Sequence, residues 1–509
     1  MGESLKILVV LIGFGAFAFG LSRYALPTVG IDKQSSQNKA IAWLCITVSI
    51  FLIPNFWVCL GVVAAVLWVT TRKEQNIPAF YLCLLFAMPL VTKEVSGLGV
   101  INYFFQIDYS RTLSLIILLP TYIALTKKSG HIPIGKHPTD WFFLGYVLLQ
   151  CLLLLDFNTF TNVLRRGVFY GTLDILLPYL VMSRFPLSFE KIKEVLAIFA
   201  VTGCFIALVA LFEYARGWLV YYNVRTMLDA GYAYGNYLGR GEDLRAQAST
   251  GQPIVLGFVL VLSAGAGLGM AALSNKKFFW YLLVLINICG MYASLSRGPF
   301  VGFVAMAVVM IFVSRDPMKN LMAVGISSVL LIAGLIASPF REKFIGLIPF
   351  LGEVDDFNVT YRQQLLNLGY EILSRNPFLG ASDFFYSLED LRNGEGIIDI
   401  VNSYLAVALS SGLIGLTLFC GCIFIPLYLL LKELRKRPSL PYEQRVIVIT
   451  VIALTVASSI IIFTVSSILT IPLVYWSLAG LSIQICQAIY RETRPNAKAK
   501  IRHKNLAFS

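Results

Sequence analysis

The chain has 509 residues, 57% hydrophobic and only 14% charged, with a mean hydropathy of +0.75 and a net charge of +13. Soluble domains run at about 45–50% apolar and about 25% charged, so a water-soluble globule is excluded: too little polar surface exists to cover it. The positive charge does not indicate nucleic acid, because Lys and Arg sit in short loops between apolar runs, the positive-inside pattern of a membrane protein.

A bilayer core takes about 20 helical residues. That measure predicts about fourteen spans, at 5–21, 40–70, 78–92, 111–126, 138–155, 167–182, 192–213, 252–273, 278–294, 298–313, 319–338, 402–431, 446–463 and 466–489. The first is read as a span rather than a cleaved leader, since any of the many later spans could direct insertion. The run 40–70 holds Pro54-Asn55 near its middle, so it is either one kinked helix or a hairpin of two short ones. The nine cysteines fall in or beside apolar runs and read as small buried residues. The chain then divides into N-terminal spans (1–213), a first long loop (214–251), central spans (252–338), a second long loop (339–401), C-terminal spans (402–489) and a basic tail (490–509).

Loop charge gives the spans a direction. Basic residues collect at Lys127, Lys128 and Lys136, at Lys276 and Lys277, at Arg315 and Lys319, at 432–445, and in the tail from Arg491. An even number of spans separates each neighbouring pair of these sites, so all can face the cytoplasm together. The two long loops then face outward. The second is acidic but not a plain linker. Residues 361–375 put Leu365, Leu366, Leu368, Ile372 and Leu373 on one helical face, and Asn376-Pro377 stops the run. An amphipathic helix is predicted there, lying on the membrane surface or capping a cavity.

Four outer arginines are the candidate chemistry: Arg245, Arg297, Arg362 and Arg375. An arginine at membrane depth costs about 2.5–3.5 kcal/mol on insertion scales, so one at a span end needs a reason. Snorkelling to headgroups or pairing with a loop carboxylate would serve for any one of them. An anionic ligand such as pyrophosphate is the other reason, because guanidinium stays charged and binds phosphate oxygens in pairs. Arg297 stands in the short turn Ser294-Leu-Ser-Arg-Gly-Pro299, close to the hydrocarbon boundary. The histidines, His131, His137 and His503, all fall in segments expected in the cytoplasm, and the outer loops carry no Asp-x-Asp pair. No metal site and no cofactor is expected. Within the spans Asp174 is the clearest charge, either a proton or cation site or, the favoured reading, a partner of Arg165 or Arg166.

Four stretches in order resemble the bacterial O-antigen ligase and O-antigen polymerase superfamily. They are Arg245-Ala-Gln-Ala-Ser-Thr-Gly-Gln-Pro253; Ser294-Leu-Ser-Arg-Gly298; Arg362 with the helix ending Ser374-Arg-Asn-Pro-Phe-Leu-Gly380; and Asn402-Ser-Tyr-Leu405 with Ser411-Gly-Leu-Ile-Gly-Leu416. The resemblance covers about 245–416. It implies an all-α, polytopic membrane protein with a long, partly helical periplasmic loop, like the multi-helical lipid-dependent glycosyltransferases. The implied substrate is a glycan on a polyprenyl pyrophosphate, with the bilayer holding the lipid and a chain-length regulator as a further partner. Arg245 and Arg297 would stabilise the pyrophosphate leaving group, and Arg362, Arg375, Asn402 and Tyr404 would contact donor or glycan. Where ligases carry a histidine just before the asparagine of the fourth stretch, this chain has Val401, and Asp399 is the nearest candidate base. That departure favours a repeat-unit polymerase over a ligase. A transporter or flippase of lipid-linked glycan is the alternative outside enzymes.

Overall fold

The computed structural model describes residues 2–99, 102–157, 159–232, 236–313, 356–381, 383–392, 398 and 400–493. The predicted span 319–338 and the candidate base Asp399 lie outside these.

The protein is an all-α polytopic membrane protein. Among the described residues, eight helices are long and apolar enough to cross a membrane, and three shorter apolar helices accompany them. In chain order the main helices are α1 (Gly2–Ala25), α2 (Gln37–Leu52), α3 (Phe56–Thr71), α4 (Ile77–Leu84), α5 (Tyr109–Thr126), α6 (Pro138–Phe157), α7 (the run 160–184) and α8 (Phe189–Arg216). They continue as α9 (Pro253–Leu273), α10 (Lys277–Ala293), α11 (Arg297–Phe312), α12 (Asp356–Arg375), α13 (Ser403–Lys436), α14 (Tyr442–Thr464) and α15 (Ile471–Thr493). α8 and α9 are buried nearly all round, whereas α1 and α6 turn most of their surface outward. Gly265 and Gly269 lie one turn apart on α9 and press against Met306 of α11 and Thr450 of α14. Small residues at this spacing let helix backbones approach where lipid supplies no hydrophobic drive.

The run 40–70 is two helices. Pro54 cannot donate a helical hydrogen bond, and Asn55 caps α3 by accepting from the Trp57 and Val58 amides at 3.0 and 3.2 Å. The run 78–92 departs from a simple span. Only the eight residues of α4 are helical, and the chain then leaves through Pro89 into a strand. Its irregular backbone is enclosed by protein, the setting in which non-helical chain is tolerated at membrane depth. Within α7, residues Val163–Leu176 form a π-helix.

Side-chain bonds collect the loops into two groups, one at each end of the bundle. One group contains the basic loops. There the Lys39 ammonium, fully enclosed, meets Glu74 and Glu194 at 3.1 Å each, and Asn76 donates to Glu194 at 3.0 Å. Arg184 pairs with Asp140 at 2.8 Å with both side chains fully buried, and the Tyr179 hydroxyl donates to Asp140 at 2.7 Å. Thr28 accepts from Ser274 and Trp280, so α1 runs toward this basic end. The opposite end carries the long loops. β1 (Val91–Ser96) pairs antiparallel with β2 (Tyr103–Ile107) and, on its other edge, with β3 (Gly231–Tyr232), while β4 (Gly239–Arg240) and β5 (Asp243–Leu244) form a second small hairpin.

α12 is the amphipathic helix expected over 361–375. Leu365 and Ile372 pack with Phe384, Leu388, Leu391, Ile400 and Leu409 in a separate small core. It thus docks on the start of α13.

Candidate functional site

The first long loop ends by folding onto the turn between α10 and α11. Ala246 donates its amide to the Ala293 carbonyl at 3.0 Å, and Arg245 donates its own to Leu238 at 2.9 Å. The Arg245 side chain reaches across the turn, with Nε donating to the Ser294 carbonyl at 3.4 Å and a terminal nitrogen to Ser296 Oγ at 3.0 Å. Arg240, at the end of β4, donates to the Leu295 carbonyl at 2.7 Å. Arg297 begins α11 one residue beyond Ser296. Three guanidinium-bearing residues therefore converge on one short turn.

The turn is held in shape. Ser294 is fully buried and donates to the Met291 carbonyl at 2.7 Å. Leu295 adopts φ +47°, a region few non-glycine residues enter without support from their surroundings. Pro299 sits in the first turn of α11, where no amide is needed for helix bonding. The same end of α11 also presents the positive pole of the helix.

Arg245 lacks the partner expected of a structural arginine. It bonds a carbonyl and a hydroxyl, and among the described residues no carboxylate pairs with it. Burial, with Arg240 alongside, pushes its guanidinium down to about 10. A cation held in this way gains from any anion that enters.

The remaining stretches assemble nearby. A Cβ on Gly298 would touch Thr464 and Val465 at the end of α14. The Val465 carbonyl accepts from Ser403 Oγ at 2.8 Å, and Ser466 Oγ donates to Ile400 at 2.8 Å. The segments 464–466 thus join the turn at 294–298 to the start of α13. Asn402 caps that helix, its side chain accepting from the Tyr404 and Leu405 amides at 2.9 and 3.1 Å. The Tyr404 hydroxyl donates to the Ser459 carbonyl at 3.2 Å.

The segment after α12 and the middle of α13 fold as one unit. α13 breaks at Gly412, with φ +63° and ψ −166°. The groups freed by the break are taken up by the turn after α12. Leu413 donates to Pro377 at 2.8 Å, Ile414 donates to Phe378 at 3.2 Å, and Ala381 donates to Leu409 at 2.8 Å. The Asn-Pro-Phe-Leu-Gly and Ser-Gly-Leu-Ile-Gly stretches are therefore two halves of one structure.

Arg362 and Arg375 are exposed on α12, and Arg375 pairs with Glu371 at 2.5 Å. Asp399 lies outside the described residues. Asp174 pairs with Arg111 at 2.9 Å, not with Arg165 or Arg166. Arg165 is consumed by the Tyr103 and Phe104 carbonyls of β2, and Asn162. Sequence reasoning missed Arg240, which looks like one more charge in Gly-Arg-Gly-Glu-Asp, and Glu213. For Glu213 a signal existed: it is an acid in the last turns of a span that carries no other charge from Val195 to Ala215.

The fold and this site define a polytopic α-helical membrane protein with an arginine-lined turn at the end opposite its basic loops. Residues 282–420 match the family model described as O-antigen ligase, a similarity that supports the resemblance to the O-antigen ligase and polymerase superfamily. The match spans α10, α11, α12 and half of α13. It includes Arg297, Arg362, Arg375, Asn402 and Tyr404, and leaves Arg245 and Arg240 outside. No curated protein matches the chain.

Proposed function

We propose that this protein extends a surface or secreted polysaccharide by joining oligosaccharide repeat units carried on a polyprenyl pyrophosphate. The observation that carries the reading is Arg245, a half-buried guanidinium with no carboxylate partner among the described residues, set against the turn that bears Arg297. When the glycosidic bond to the lipid carrier breaks, negative charge develops on the pyrophosphate. Fixed cations aimed at that charge lower the barrier without reorganising. Arg245 and Arg297 hold the leaving group, with Arg240 on its flank. Arg362 and Arg375 on α12 meet the incoming glycan, and Asn402 and Tyr404 fix the start of α13 beside it. Asp399 is assigned as the base that activates the acceptor hydroxyl, which attacks from the face opposite the leaving group and inverts the anomeric centre. The site faces the periplasmic side of the inner membrane, and a chain-length regulator docks on the assembly.

Arg245→Ala and Arg297→Ala should each abolish chain growth while leaving the protein in the membrane at normal levels. Polymer of normal length from both variants would overturn the reading. Arg245→Lys should recover little, because an ammonium cannot bind two phosphate oxygens in a fixed plane.

The description of the matched family favours a second reading, transfer of the finished glycan to a lipid or protein acceptor. Proteoliposomes supplied only with the lipid-linked repeat distinguish the two. A polymerase makes longer products and releases polyprenyl pyrophosphate, a ligase waits for its acceptor, and a transporter moves substrate without forming a bond.

A further inference from the structure

Glu213 lies at the end of α8 and is completely enclosed. Among the described residues no lysine or arginine pairs with it. Its two oxygens are used in different directions. Oε1 accepts the Val220 amide at 3.0 Å, and Oε2 accepts the amides of Gln247 and Ala248, both at 2.8 Å. Ala248 has φ +47°, and this left-handed geometry belongs to the stretch that turns two successive amides onto one oxygen. Consecutive amides arranged in this way form a concavity that binds anions. Here the chain fills it with its own carboxylate.

The segment so held begins two residues after Arg245. Ala246 is bonded to Ala293 on one side, and Gln247 and Ala248 to Glu213 on the other. Between them these bonds fix the backbone from which Arg245 reaches Ser294 and Ser296. We infer that Glu213 is the positioning residue for Arg245, setting the arginine against the turn through the backbone of 246–248. The inference rests on the pyrophosphate reading of the site above. Being enclosed, Glu213 does not touch substrate. A carboxylate is required rather than an amide, because both oxygens accept, and a glutamine would turn its NH2 group toward an amide donor.

The test uses the full-length protein in nanodiscs, with inorganic pyrophosphate as probe, in a cycle of wild type, Glu213→Gln, Arg245→Ala and the double variant. Glu213→Gln should weaken binding by about tenfold in the wild-type background and have no further effect once Arg245 is gone, the non-additivity of residues acting as one unit. An equal loss in both backgrounds overturns the inference, since Glu213 would then support the fold in general. Hydrogen exchange is measured on the same samples. Faster exchange at the amides of 246–248 in Glu213→Gln supports the inference, and unchanged exchange overturns it. That arm decides even if wild type binds no pyrophosphate, an outcome that would count against the proposed function instead. If Glu213→Gln does not reach the membrane, Glu213→Asp replaces it in the same cycle, with a smaller loss expected in the wild-type background and none without Arg245.

Discussion

At the scale of single residues, the sequence and the resemblance put Arg245 and Arg297 ahead of Arg362 and Arg375 but could not show what each one touches. Arg245 and Arg297 meet at one turn, whereas Arg375 spends its charge on Glu371 in an exposed pair of a kind worth little. What separates them is the partner, and partners come from tertiary contacts. Arg240 was invisible for the same reason, as it reaches Leu295 over a gap of 55 residues. A pH prediction belongs here. The Arg245 guanidinium is pushed down to about 10 by burial, so its charge is present below that pH and lost above it. Pyrophosphate affinity should therefore fall as pH rises through about 10, earlier than an ordinary arginine would allow. Isothermal titration across that range measures it, and a flat profile would remove Arg245 from the contact.

Among elements, the break in α13 is the most informative. Ser411-Gly-Leu413 stood out in the sequence only as part of a family stretch, and hydropathy has no means of marking where a helix opens. The Asn-Pro stop at 376–377 was legible from proline chemistry, but its bonding partner on α13 was not. Gly412 approaches the Phe378 backbone so closely that a Cβ has no room, and its φ of +63° is strained for any other residue. Gly412→Ala should cost at least about 1–3 kcal/mol from the backbone conformation alone, with the clash added. Thermal unfolding of the purified protein reads the loss. The hairpin at 40–70 was half legible: Pro54-Asn55 announced a break but left open whether the chain kinks or turns back. Asn55 decides it by capping a second helix.

For the molecule as a whole, the positive-inside pattern gave an expected direction from the middle of the chain onward and left the N-terminal spans open. Among the described residues, the basic loops gather at one end, and the first long loop and α12 at the other. The pattern gave no hint of the locks that hold the basic end. Lys39 joins the start of α2, the loop after α3 and the start of α8 through Glu74 and Glu194. Removing one member of a buried ion cluster strands the rest, at a cost of about 3–5 kcal/mol. Lys39→Met should lower the unfolding temperature sharply, and adding Glu194→Gln should restore part of it. Orientation has its own check. A cysteine at Glu242 should react with a membrane-impermeant maleimide from the periplasmic side, and one at Lys127 should react only after the cells are opened. Labelling in the reverse order would turn the whole assignment over.

The hairpin of α2 and α3 also bears on the lipid around it. Each helix has 16 residues, about 24 Å at 1.5 Å per residue, against a hydrocarbon thickness of about 30 Å. α8, with 28 residues, is long enough but is wrapped in protein and hardly meets lipid. A hairpin this short that crosses a bilayer thins the membrane around it or stretches its flanking side chains, to relieve a hydrophobic mismatch of about 6 Å. Acyl-chain length becomes a control on this protein: it should be most stable in bilayers of shorter chains, and in a membrane of uneven thickness it should collect in the thinner regions.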